Sequence, residues 1–246
     1  MTPQSSHLVL VPSYNPGNLL LATVDGALEK WPHVWVVVDG STDDSHQPLV
    51  NAPRPGLRVI VRHANSGKGA AVLEGAAAAA ADGFTHVLVM DADGQHPAGR
   101  IREFMEASMA EPESLICGKP LFGPEAPVVR LYGRRLSSLM VFFETRGRGA
   151  ADPLFGFRVY PIAELRGALE AGRRRGRRYT FDPEAAVRLA WAGVRARNLE
   201  AECAYLPAAK GGVSHFRYVR DNLKMVAMHS RLILELLLGR GGKETL

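Results

Sequence analysis

The stretch VLVMDADGQH, residues 87–96, is an apolar run that ends abruptly in two carboxylates spaced one residue apart. An apolar run of this length bounded by turn residues reads as a buried strand, which puts Asp91 and Asp93 at the strand's carboxyl end. In an open α/β sheet that end is where ligands bind. Side chains alternate along an extended backbone, so residues one apart point to the same side and both carboxylates can reach one hard cation. The plain alternative is a solvated Asp-Gly turn closing the strand.

Upstream of this stretch the chain alternates strand and helix. Residues 7–11 (HLVLV) predict a strand, followed by the loop Pro12-Ser13-Tyr14-Asn15-Pro16-Gly17 and a helix over about 18–30. Residues 34–38 (VWVVV) predict a second strand that breaks into Asp39-Gly40-Ser41-Thr42-Asp43, and residues 57–62 a third. Next come Asn65-Ser66-Gly67-Lys68-Gly69 and an Ala-rich helix to Ala81, stopped by Asp82-Gly83. Residues 87–90 are the fourth strand. Apolar strands joined through helices predict an α/β fold with a mostly parallel sheet, whose strand-end loops converge on one rim.

Nucleotide chemistry is the natural use of such a rim. Gly67-Lys68 looks like the end of a P-loop, but Arg62 and Gly69 stand where that motif needs Gly and Ser or Thr. No G-x-G-x-x-G follows the first strand. The first loop carries a proline and an aromatic, which suit a base or ribose better than a pyrophosphate. Lys68 starts a helix between glycines, where it can approach a diphosphate closely beside the helix's free N–H groups, or simply solvate a turn.

The rest of the chain bounds the reading. Its 246 residues contain no long Ser/Pro/Gly-rich linker, so one domain is expected, and 46% hydrophobic with 22% charged residues suit a sizeable core. Cys117 and Cys203 are far apart and lack metal-ligand spacing, which fits a reducing cytosol. No signal peptide is expected, and no apolar stretch reaches the roughly 20 residues that span a bilayer. The net charge of +5 is uneven: residues 1–160 sum to −2 and residues 161–246 to +7. The densest run, residues 173–178 (RRRGRR), could bind nucleic acid, lipid headgroups or nothing but solvent. No stacking platform or nucleic-acid motif accompanies it, so no nucleic-acid partner is expected.

Six motifs in order resemble the family-2 glycosyltransferases of the GT-A fold, and among them the dolichyl-phosphate mannose synthase and polyprenyl-phosphate sugar synthase branch. They are VPSYNPG at 11–17, VVDGSTDDS at 37–45, HANSGKGAAVLEG at 63–75, MDADGQHP at 90–97, DPLFGFRVY at 152–160 and YTFDPE at 179–184. The resemblance implies a GT-A domain over residues 1–216, a Rossmann-like mostly parallel sheet flanked by helices. Residues 217–246 would be a C-terminal amphipathic helical extension of the same domain. It implies a nucleotide-diphosphate sugar donor held by Pro12, Tyr14, Asn15, Asp39, Lys68 and Asp91, with Asp91, Asp93 and Gln95 holding Mg²⁺ or Mn²⁺ on the diphosphate. Such a cation and Lys68 would stabilise the charge that develops on the leaving nucleoside diphosphate. The catalytic residues are then Asp93, Lys68 and Asp152, the last as the base that a hydroxyl acceptor would require; a lipid phosphate would require none.

On the acceptor side the resemblance implies Lys119, Arg134, Ser138 and Arg158 as ligands of a lipid phosphate. Lys119 replaces the usual Arg there, Val38 replaces the first Asp of a D-D-G-S pair, and Lys210 replaces the Arg before Gly212-Val213-Ser214. Residues 222–238 (NLKMVAMHSRLILELLL) are amphipathic rather than spanning, suited to an anionic membrane surface with Arg217, Arg220, Lys224 and Arg231, or to packing and a homodimer interface. The expected place is the cytoplasm, peripheral on the cytoplasmic membrane face. A sugar-1-phosphate nucleotidyltransferase and a non-catalytic nucleotide-sugar-binding protein remain as other classes; the first usually announces itself with a Gly-rich basic loop that residues 11–17 lack.

Overall fold

The computed structural model describes residues 6–124, 128–171, 178–204 and 218–241. Residues 173–177, Lys210, Gly212-Val213-Ser214 and Arg217 of the sequence reading lie outside the described residues. The strands are β1 (His7–Ser13), β2 (Val34–Asp39), β3 (Leu57–Arg62), β4 (His86–Val89), β5 (Leu115–Phe122), β6 (Arg158–Pro161) and β7 (Ala196–Cys203). The helices are α1 (Leu19–Leu28), α2 (Gln47–Asn51), α3 (Lys68–Ala81), α4 (Ile101–Ala110), α5 (Val128–Thr145), α6 (Ile162–Ala171), α7 (Phe181–Trp191) and α8 (Tyr218–Leu237).

The strands form one sheet in the order β3-β2-β1-β4-β6-β5-β7. Parallel pairing of β1 with β2 and β4, and of β2 with β3, follows from the helical crossovers. β6 is the exception: it runs antiparallel to β4 and β5. The predicted first strand is longer than its apolar run, because Pro12 and Ser13 stay in register with Val37 and Val38.

Alternation explains why these strands are apolar at nearly every position. Leu8, Leu10, Trp35 and Val37 face one layer, packing with Ala71 and Ala76 of α3 and Phe181 of α7. Val9, Val11, Val34 and Val36 face the other, against Leu20 of α1 and Ile101 and Phe104 of α4. The Ala-rich α3 rides close on the sheet: a Cβ at Gly75 would stand 2.5 Å from Leu10. That close approach sets Lys68, the first residue of α3, at the carboxyl ends of β1 and β2.

α5 and α8 lie together over α7. Val141, Val187, Met228 and Leu232 form their shared apolar cluster. Beside it His229 bonds the Ser137 hydroxyl through Nε2 at 3.1 Å and the Glu144 carboxylate through Nδ1 at 2.9 Å, all three side chains buried. α8 is therefore packed on the domain. Among the described residues no helix is long and apolar enough to cross a membrane.

Candidate active site

The loops after β1, β2, β3 and β4 meet on one rim. After β1, Asn15 stands at a positive φ of 45° and grips the loop after β2: its Oδ1 accepts from the Thr42 N–H at 2.7 Å, and its own N–H donates to Ser41 at 3.0 Å. Pro12 is buried in β1, and Tyr14 reaches the surface of the same loop. Asp39, at the end of β2, is buried. Its carboxylate accepts from the Ser66 and Gly67 N–H groups at 3.0 and 2.6 Å and from Arg62 at 2.6 Å. Gly67 precedes Lys68, so Asp39 holds the turn that aims the lysine.

Lys68 is the centre of the site. Its Nζ lies 2.7 Å from Asp91 Oδ1 and 2.8 Å from Asp182 Oδ2. Burial opposes the ammonium, but Asp182 and Asp91 outweigh it and hold its pKa above the ordinary lysine value. For Asp91, burial favours the neutral acid, and Lys68 and then His96 outweigh that and keep its pKa low. Among the described residues no cation pairs with Asp93. Burial, then the neighbouring charge of Asp91, push it up to about 6. Its Oδ1 accepts the Gln95 N–H at 3.1 Å.

His96 closes the loop from below. Its Nδ1 accepts the Asp91 N–H at 2.9 Å, and burial lowers its pKa to about 4 despite Asp91, so the ring is neutral and carries its proton on Nε2. That edge faces Asp91 Oδ2 at 3.7 Å. Phe155 and Phe157 meet the imidazole edge-on at 4.8 and 5.5 Å between centroids. The loop's other end is tied to β7, where the Ala204 N–H donates to the Gln95 carbonyl at 3.1 Å.

Sequence reasoning missed Asp182 and Gly156. Asp182 sits in the first turn of α7, inside the quoted YTFDPE, and its Oδ1 is buried with no hydrogen-bond partner. A Cβ at Gly156 would stand 2.3 Å from Lys68 Nζ, so only glycine leaves the lysine its place.

The residues expected on the acceptor divide. Arg134 reaches back to Asp152 with Nε–Oδ2 at 2.8 Å and Nη2–Oδ1 at 3.0 Å, a bidentate pair that occupies both carboxylate oxygens. Ser138 follows Arg134 by one turn of α5 and is half-buried, while Lys119 is exposed on β5 near Glu200 at 3.4 Å. Arg158 requires a correction. It is wholly buried and donates to the carbonyls of Phe155, Asp182, Asp152 and Pro153 at 2.7 to 3.2 Å. Its guanidinium has no path to an acceptor, and it fixes Asp152 and Asp182 instead. Burial pushes the Cys203 thiol up to about 11, at the end of β7 beside the D-x-D loop. A cavity of about 540 Å³ opens there, lined by Gln95, His96, Phe122, Glu202 and Cys203. The Arg134 guanidinium lies 5.0 Å above the Phe122 ring.

Comparison with known proteins gives the family and the fold. The model of glycosyl transferase family 2 matches residues 8–165, and the chain belongs to that family. No curated protein sequence matches it. Among solved structures it is similar to S. aureus TarS 1–349, with a TM-score of 0.56 at 16% identity over 95% of this chain and 66% of that one. The TarS 1–349 complex with UDP-GlcNAc gives 0.58 at 17% identity over 95% and 67%. A further structure of S. aureus TarS gives 0.54 at 17% over 95% and 40%, so this chain spans about two thirds or less of the chains it resembles. The fold is the GT-A fold, a mixed and mostly parallel sheet flanked by helices.

Proposed function

We propose that this glycosyltransferase moves a sugar from a nucleotide-diphosphate donor to a lipid phosphate presented at the cytoplasmic face of a membrane. The observation that carries the donor side is the Asp91–Lys68–Asp182 arrangement beside Asp93, at the strand ends where an anionic leaving group must be stabilised. TarS, solved with UDP-GlcNAc and with UDP, supports a nucleotide sugar as donor.

In the reaction, an acceptor oxygen forms a bond to the anomeric carbon while the bond from that carbon to the donor's diphosphate oxygen breaks, and the nucleoside diphosphate leaves with the electron pair. Lys68 supplies a fixed positive charge for that departure. Asp91, Asp93 and Gln95 are the residues that would hold Mg²⁺ or Mn²⁺. Among the described residues no group of three or more His, Cys, Asp or Glu makes a complete cage. Two carboxylates still fit such an ion, since Mg²⁺ is commonly bound by one or two carboxylates and completed by substrate phosphates and water. Burial first, and then the neighbouring Asp91 charge, raise the Asp93 pKa, and a cation held between the two carboxylates would offset both. The ion would act as a Lewis acid on the diphosphate.

The acceptor assignment rests on Arg134. A phosphate oxyanion is nucleophilic without a base, and Arg134 with Ser138 and Lys119 can receive it, the phosphate competing with Asp152 for the guanidinium. Asp152 is then a positioning residue. Its two oxygens are already engaged by Arg134, which argues against a free base for a hydroxyl acceptor.

The deciding assay measures nucleoside diphosphate release from a panel of nucleotide sugars with Mn²⁺ or Mg²⁺, using a polyprenyl phosphate or a hydroxyl acceptor. We expect release that depends on the metal and on the lipid phosphate. Asp152→Asn should raise KM for the lipid phosphate and leave kcat within about tenfold, because no proton has to be taken. Full turnover in EDTA would remove the metal, and pyrophosphate as product would make the protein a nucleotidyltransferase. A loss of kcat in Asp152→Asn that matches the loss in Asp93→Ala would transfer the reading to a hydroxyl acceptor.

A further inference from the structure

Among the described residues, ten of the seventeen exposed large apolar side chains lie on α5 and α8. On α5 they include Tyr132, Leu136, Leu139 and Phe143, spaced by four, three and four residues, which makes one stripe on the helix face opposite the buried Ser137, Val141 and Glu144. On α8, Val219, Leu223, Val226, Leu234 and Leu237 make a second stripe, opposite the buried Asp221, Met228 and Leu232. Both helices thus use one face to pack over α7 and turn a second apolar face outward. Phe143 is 61% exposed and Leu237 77%, far from the single scattered side chains usual on a surface.

The charges around the stripes are of one sign. The acidic side chains that the two helices contribute turn inward: Glu144 and Asp221 are 1% exposed, and Glu235 pairs with Arg188 and Arg231. Exposed Arg135 lies over the Tyr132 ring at 5.8 Å, and Arg220 and Lys224 stay about half exposed on α8 although both reach the one Asp221 carboxylate, at 3.0 and 3.8 Å, so two cations share one anion there. Arg231, grouped by the sequence with the outward basic residues, instead turns inward to Glu184 at 2.5 Å.

We propose that α5 and α8 together are the face on which this protein docks to an anionic phospholipid bilayer, lying in the interface without spanning it. The apolar stripes would enter the headgroup boundary and the basic residues would meet anionic headgroups. Charge selects this occupant over a second copy of the chain, since a two-fold contact through this face would set the basic rims against each other. The proposal deepens the lipid-phosphate reading above. It places Arg134 on the docked helix itself, one side of α5 toward the lipid and the other toward Asp152.

The test is co-sedimentation with vesicles of phosphatidylcholine, alone or with about one third phosphatidylglycerol. The full chain should bind the anionic vesicles and leave the neutral ones. Leu139→Glu with Phe143→Glu on α5 should lower the partition about tenfold or more, as should Leu223→Glu with Leu237→Glu on α8. Replacing Arg135 by Gln should lower it about fivefold. All these side chains are exposed, so melting temperature and nucleotide-sugar binding should hold in every variant, which certifies the fold independently of transfer. The proposal is overturned if the full chain ignores anionic vesicles or if the α5 variant binds as the unaltered protein does. A solution dimer that the same substitutions split would make a second copy the occupant. Vesicle binding with no transfer to lipid phosphate would refute the acceptor reading while keeping the docking face.

Discussion

Lys68 holds the carboxylates of Asp91 and Asp182 together, and the surrounding residues are chosen to let it do so. Gly156 leaves room for its ammonium, Asp39 fixes the turn before it, and Arg158 secures the backbone of Asp152 and Asp182. Gly156→Ala should therefore act on catalysis before stability. The new methyl pushes Nζ away from Asp91 and Asp182, and a misplaced charge-stabilising group costs on the order of 10²-fold in rate. The check is kcat against melting temperature: a fall in both together would mean that the backbone, and not the lysine, had moved. Asp93→Asn separates function from stability more sharply. Removing a carboxylate that stabilises the leaving group through a cation should lower kcat by about 10² to 10³. The same change removes a desolvated charge beside Asp91, so the melting temperature at neutral pH should rise. A less stable, fully active variant would refute both halves.

At the scale of an element, the start of β1 carries a proton switch of its own. His7 pairs with His86 across the parallel register and stacks on it at 4.3 Å, with Nε2 3.0 Å from the Ser108 hydroxyl. Burial, and then the charge of His86, lower its pKa from 6.5 to about 4. The folded state thus keeps His7 neutral where the unfolded chain would protonate it. Between those two values the unfolded state binds more protons, so this contribution is fully present above pH 6.5 and is lost as the pH falls toward 4. The loss should approach about 3 kcal/mol. Urea midpoints taken through that window should fall with pH, and His7→Gln, whose amide can still bond Ser108 but cannot titrate, should flatten the fall. An identical slope in the variant would assign the acid sensitivity elsewhere.

For the whole molecule, the rim is assembled from four loops, α3 and α7, so a donor that bridges them should stabilise the chain as a unit. A nucleotide sugar at 100 times its dissociation constant adds roughly 2.7 kcal/mol. In a domain of this size that is a rise of about 5 to 10 °C in melting temperature. We expect the full rise with Mn²⁺ or Mg²⁺ and a reduced one in EDTA, measured by thermal shift. Equal shifts with and without the metal would mean that the cation takes no part in holding the diphosphate.

Much of this was legible in the residues alone, for a physical reason. Buried parallel strands need apolar side chains on both faces, so β1, β2 and β4 stand out as runs, and carboxylates that end a run, like Asp91 and Asp93, are local features. The Ala-rich α3 and the position of Lys68 at its start are local too. Partners distant in the chain are not: Asp182 meets Lys68 across 114 residues, and no spacing rule connects them. The sequence also offered Arg134 and Arg158 as equals on the acceptor side. Only packing decided that Arg158 is sealed among carbonyls while Arg134 clasps Asp152 beside an open cavity. The same holds for β6, whose antiparallel course follows from the long excursion through β5 and α5, and for α8, whose apolar positions face both ways. Periodicity shows that a helix is amphipathic; which of its faces is covered depends on the neighbours that the fold brings, and those are set by the whole chain.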